Sequence, residues 1–98
     1  LTIAWDQSGR KNIEKHYKMD QLHGRYTLWD ESGNKGWEMY YKLGKQDGLN
    51  TMWYPNGQKK WEILYINDII NKSTFWNEEG NITKMEVSNE EKNHINRN

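Results

Sequence analysis

The stretch MWYPNGQKKWEILY, Met52 to Tyr65, decides the fold: apolar residues alternate on both sides of a proline, an asparagine and a glycine. That is the signature of a β-hairpin. Nearly the same phrase stands earlier as LWDESGNKGWEMYY, with Trp29 matching Trp53, Gly33 matching Gly57, Trp37 matching Trp61, Glu38 matching Glu62 and Tyr41 matching Tyr65. Working outward, Trp5, Gly9, Glu14 and Tyr17 fall at the same spacing, as do Trp76 and Gly80. The tryptophans at 5, 29, 53 and 76 are 24, 24 and 23 residues apart, a period that suits a unit of two strands and two turns.

Each unit's first turn reads as a type I turn closed by a left-handed glycine, with Pro55 presetting φ and Gly57 supplying the positive φ. This geometry pairs Tyr54 with Gln58 and predicts that Trp53 opposes Lys59, Thr51 opposes Trp61 and Leu49 opposes Ile63. The second turn carries Asp20, Gly44 and Asp68, residue types that accept left-handed backbone. The same loop geometry around Gly44 pairs Trp37 with Leu49. In the shorter fourth unit, a two-residue turn at Asn67 and Asp68 pairs Ile66 with Ile69 and Tyr65 with Ile70, and a bulge precedes Met85.

The expected fold is therefore all-β: an elongated, single-layer antiparallel β-meander of four ~24-residue hairpin repeats, at about 1–23, 24–47, 48–70 and 71–88. Residues 89–98 form a polar tail or a short helix, since Ser88 and Glu91 fit a capping box. These registers gather Trp5, Ile13, Tyr17, Trp29, Trp37, Met39, Tyr41, Trp53, Trp61, Ile63, Tyr65, Ile70 and Trp76 on one face. The opposite face carries Glu14, Glu38 and Glu62 beside Leu28, Tyr40, Met52, Leu64 and Phe75.

Composition narrows the functions. Fourteen basic and fourteen acidic side chains balance, which removes the electrostatic basis for general nucleic-acid binding. No apolar run reaches the ~20 residues of a membrane-spanning helix. Without cysteine there are no disulfides or thiolate metal sites; the compartment stays open, with the cytoplasm favoured. The chain begins at Leu1, within an expected strand, which suggests a segment whose preceding repeats or signal peptide lie outside the sequence. His16, His23 and His94 lack metal-ligand spacing, so neither metal nor cofactor is expected. Successive glutamates sit two strands apart, about 9 to 10 Å, with no cleft between them, so they read as a structural row paired with the neighbouring Lys11 and Lys60 rather than an acid–base pair. No nucleophile elbow or phosphate-cradling glycine cluster is present, and no enzymatic activity is expected.

The phrase G-x-x-x-x-W-x-x-x-G-x-x-x-x-E-x-x-Y, read from Gly24 and again from Gly48, resembles the MORN repeat variant of bacterial proteins, many of them in the YwqK-type antitoxin family. The resemblance spans roughly Leu1 to Val87 and weakens in the last unit, where Asn71 replaces glycine. It implies a twisted single-layer sheet and a protein-binding role, with a cognate toxin as partner. The partner-binding candidates are Trp29, Trp37, Trp53, Trp61, Tyr41 and Tyr65, since large aromatics anchor interfaces. Trp37 and Trp61, opposed by Thr27 and Thr51 in the expected register, should be more open than Trp29 and Trp53, which lie under Lys35 and Lys59. Two readings compete: the lysine stems simply shield the rings of a structural sheet, or the aromatics bind a cell-surface glycan or lipid headgroup.

Overall fold

The computed structural model describes residues 1–88; the expected helix beginning at Ser88 falls largely outside them. The chain is an antiparallel meander of eight strands: β1 (Thr2–Trp5), β2 (Lys11–Lys15), β5 (Gly24–Trp29), β6 (Lys35–Lys42), β8 (Gly48–Trp53), β9 (Lys59–Ile66), β10 (Ile69–Trp76) and β11 (Ile82–Val87). Short strands β3 (Tyr17–Lys18) and β4 (Gln21–Leu22) pair with each other, and β7 (Lys45–Gln46) pairs with β6. The sheet measures 53 × 40 × 13 Å, one layer thick. Its radius of gyration of 15.7 Å exceeds the about 13 Å of a compact chain this long.

The turns form as their residues dictate. Asp6, Asp30 and Asn77 each accept two backbone N–H groups from the turn that follows, at 2.9 to 3.1 Å. In the third hairpin Tyr54 takes that place, and Asn56 accepts the Gln58 N–H instead. Gly9, Gly33, Gly57 and Gly80 all hold φ between 81° and 89°, and Tyr54 bonds Gln58 as expected. The turn at Asn67 and Asp68 also has its expected form, with φ of 55° and 68° and the pairs Ile66–Ile69 and Tyr65–Ile70.

Beyond the first turns the register departs from expectation. Each hairpin carries a second irregularity, a bulge that inserts Asn12, Gly36, Lys60 or Thr83 into the returning strand; the last, before Met85, is the one expected. Trp53 does oppose Lys59, but Met52 then faces Trp61, Thr51 faces Glu62 and Asn50 faces Ile63. The turns at Met19–Asp20 and Leu43–Gly44 are two-residue turns with both φ positive, and the ladder then steps by two further residues between the pairs Tyr41–Gln46 and Glu38–Thr51, so Trp37 faces Met52 rather than Leu49. Because strand side chains alternate, an odd slip moves every side chain across the sheet.

The two faces are consequently redrawn. One carries Ile13, Leu28, Trp37, Met52, Trp61 and Phe75 in a row of direct opposition. Tyr26, Met39, Asn50, Ile63, Tyr41, Tyr65 and Ile70 share that face. The other carries Glu14, Thr27, Glu38, Thr51, Glu62 and Thr74 in an alternating row, flanked by Trp5, Trp29, Trp53 and Trp76, with Tyr40, Leu49 and Leu64 alongside. The expected single face of six tryptophans does not exist. Equally, Leu28, Met52 and Phe75 belong with Trp37 and Trp61, not with the glutamates.

Candidate functional site: an aromatic platform with a notch

Four of the six partner-binding candidates, Trp37, Trp61, Tyr41 and Tyr65, lie together on the aromatic face; Trp29 and Trp53 lie on the glutamate face. All four of these tryptophans are half-buried, so openness does not distinguish Trp37 and Trp61 from the other pair as expected. What distinguishes them is packing. The rings of Trp37 and Trp61 meet edge to face, 6.0 Å apart at 88°, and Trp61 meets Phe75 at 6.4 Å and 61°. These separations fall within the favourable range for aromatic pairs.

Asn50 fixes this array. Its buried Oδ1 accepts the indole N–H of Trp37 at 2.5 Å and that of Trp61 at 3.5 Å, while its Nδ2 donates to Gln46 Oε1 at 3.1 Å. One amide thus orients two tryptophans from neighbouring hairpins. Alongside, Tyr26 and Tyr41 stack obliquely at 6.1 Å, and the Lys15 ammonium lies 5.4 Å from the Tyr26 ring. Burial first, then the nearby Tyr26, Asp68 and Tyr65, raise the pKa of Tyr41. Its hydroxyl therefore stays protonated across the physiological range.

A concavity of about 360 Å³ opens beside Trp37, lined by Leu28, Gly36, Trp37, Met52, Tyr54, Pro55 and Lys60, with the strand ends at Trp29, Asp30 and Trp53 completing its wall. Its origin is the bulge. In the third hairpin the inserted residue is Lys60, whose ammonium sits 5.6 Å from the rings of both Tyr54 and Trp61. In the second hairpin the same position is Gly36, and no side chain covers Trp37 from there. Tyr54 is held by its hydroxyl, which donates to the Trp76 carbonyl at 2.9 Å.

The platform residues that sequence reasoning missed are Gly36, Asn50, Tyr54 and Lys60. Gly36 leaves a trace in the sequence, for it aligns with Asn12 and Lys60 at the 24-residue spacing yet lacks a side chain. Asn50 leaves none, because its role depends on the true register.

On the opposite face the expected lysine cover takes another form. Lys11, Lys35 and Lys59 do oppose Trp5, Trp29 and Trp53, but their ammoniums reach Glu14, Glu38 and Glu62 at 3.3, 2.9 and 2.6 Å. The bulge places the lysine and the glutamate three positions on along the same side. Lys60, expected to join the glutamate row, turns instead to the aromatic face. Only the Lys59 ammonium also approaches a ring on its own face, 6.0 Å from Trp76.

Glu14 carries the densest partners: Arg25 and His16 on Oε2 and Lys11 on Oε1, at 3.3 to 3.4 Å. Burial pushes its pKa up, but the hydrogen bonds from Arg25, His16 and Lys11 and the charge of Lys11 outweigh that, leaving it below its ordinary value. A carboxylate with a depressed folded pKa stabilises the fold above its unfolded pKa and loses that contribution as pH falls through the folded one. The urea midpoint should therefore drop as pH falls below about 4, and Glu14→Gln should flatten that drop. Parallel acid limbs for the two proteins would show that Glu14 has no such role.

Among the described residues, no group of three or more His, Cys, Asp or Glu side chains converges as a metal site. No helix in them is long and apolar enough to cross a membrane. The chain matches no known family, no curated protein and no solved structure in comparison with each.

Proposed function

We propose that this chain is a protein-binding module whose aromatic face docks a partner protein, with the notch at Gly36 receiving one apolar side chain. The observation that carries this reading is the notch itself. Beside a tryptophan whose indole N–H is already satisfied by Asn50, a glycine stands where the next hairpin places a lysine over its own rings. A half-exposed, oriented aromatic surface with a recess at its centre suits an interface hot spot, because little side-chain freedom is lost on binding. The resemblance to MORN-variant repeats extends this to an antitoxin or immunity role, in which the partner is a toxin. Binding, rather than catalysis, is what these groups can do.

The test uses the product of the adjacent gene as the candidate partner and measures affinity by calorimetry. Gly36 has an ordinary φ, and a Cβ there would meet only the Leu28 carbonyl oxygen at 3.7 Å, an unstrained contact. Gly36→Lys should therefore leave the circular dichroism unchanged while filling the notch, and affinity should fall by about 2 kcal/mol or more. The double variant Trp37→Ala with Trp61→Ala should lose at least as much. Undiminished affinity in a folded Gly36→Lys protein would move the interface off this face, and no binding by the wild type would reject that candidate as the partner.

A further inference from the structure

Among the described residues β11 pairs with β10 alone, so its outer edge is open. Natural sheets blunt such edges with charge, most often lysine. On one face of β11 the reverse has happened. The returning strands of the first three hairpins carry the ion pairs Lys11–Glu14, Lys35–Glu38 and Lys59–Glu62. In β11 the corresponding residues are Ile82 and Met85, 56% and 55% exposed. They border a groove shared with Leu49, Leu64 and Trp76 and with the polar side chains of Glu62, Lys72 and Thr74.

We propose that β11 is a dimerisation edge that pairs antiparallel with β11 of a second copy of this chain, about a two-fold axis through Met85. The hydrogen-bond phase sets the choice of register. The Ser88 N–H donates to the Asn71 carbonyl at 2.7 Å, and Glu86 pairs with Ser73 two residues earlier. By alternation Ser88 and Glu86 turn their backbone groups toward β10, and Val87 and Met85 turn theirs outward. Self-pairing must align outward-facing residues, which leaves axes through Lys84, Met85 or Glu86 near the strand's centre. An axis through Lys84 opposes two ammoniums, and one through Glu86 opposes two carboxylates. The axis through Met85 exchanges both Met85 backbone hydrogen bonds and sets Lys84 of each copy opposite Glu86 of the other. Lys84 and Glu86 now pair with each other at 3.2 Å, both 61% exposed, on the side of the sheet opposite Met85. In the dimer each finds an oppositely charged cross-strand neighbour, and the two Met85 side chains meet at the rim of this groove. The interface is isologous, so it closes at two copies.

Sedimentation equilibrium on the 98-residue chain tests this. The weight-average mass should rise from 11.9 kDa toward twice that value with concentration. Lys84→Glu and Glu86→Lys, each made alone, should weaken the dimer at least about tenfold, since two attractive pairs become repulsive. The double exchange, Lys84→Glu with Glu86→Lys, should restore it. That rescue separates this pairing from a head-to-tail contact of β11 with β1 of another copy, which would not be restored by the exchange. Circular dichroism confirms that each variant folds, and Met85→Pro offers an independent block, because it removes only an outward N–H. A mass fixed at 11.9 kDa at every concentration overturns the proposal. So does a dimer that is indifferent to the single changes, or one that the double exchange fails to restore.

Discussion

Replacing Gly48 by alanine lowers the unfolding free energy by about 3 kcal/mol, more than half of the about 5 kcal/mol expected at the low end for a chain this size. Two effects add. Gly48 holds φ of +126°, a backbone region that side chains rarely adopt, and a Cβ there would stand 3.0 Å from the Tyr40 Cβ. Neither neighbour can easily give, since Gly48 is paired with Tyr65 across the ladder. Gly57 provides the control. Its φ is +88° but nothing lies within 4 Å of the added atom, so Gly57→Ala carries the backbone cost alone, about 1 kcal/mol. Urea denaturation of the two variants measures the difference. Equal losses would mean that the contact with Tyr40 is absorbed without cost.

Asn50→Leu should be the second severe change, at about 2 to 3 kcal/mol. The side chain is buried, and its removal strips the acceptor from the Trp37 and Trp61 indole N–H groups together. It also leaves the Gln46 side-chain oxygen without its donor. Loss of the shared acceptor should free both rings, so tryptophan fluorescence and near-ultraviolet circular dichroism should change even where the backbone signal persists. Asn50→Leu with native stability and unaltered aromatic signals would show that water replaces the amide without penalty.

The all-β meander and its turns were legible because their chemistry is local. Asp30, Asn56, Pro55 and Gly57 impose conformations on their own neighbours, and those conformations are present. The faces were not legible. Of the four bulges only the one before Met85 was expected and is present; the inserted residues Asn12, Gly36 and Lys60 share no property that marks a bulge, and Met19 and Leu43 are poor candidates for left-handed turns. The agreement between the two expected hairpins misled for a definable reason. Their registers erred by odd numbers of residues on both sides of β8, so the same inversion occurred twice and the faces stayed mutually consistent. Of the expected platform, Trp37, Trp61, Tyr41 and Tyr65 survive as neighbours on one face because they lie on the returning strands, beyond the inserted residue. Trp29 and Trp53 lie just outside the bulge, where the alternation has already reversed.

Met39 is the one buried apolar residue among those described, and the other buried positions are Glu14, Thr27, Asn50, Thr51, Ser73 and Thr74. Unfolding such a sheet hydrates a larger share of peptide and hydroxyl groups than unfolding a domain with a deep apolar core, and polar and apolar contributions to the heat capacity oppose each other in sign. The increment should therefore fall below the about 12–15 cal/mol/K per residue of ordinary domains. A small increment flattens the dependence of stability on temperature, so this thin sheet holds nearly the same modest stability in the cold as in the warm, and it melts gradually rather than from a high, narrow optimum.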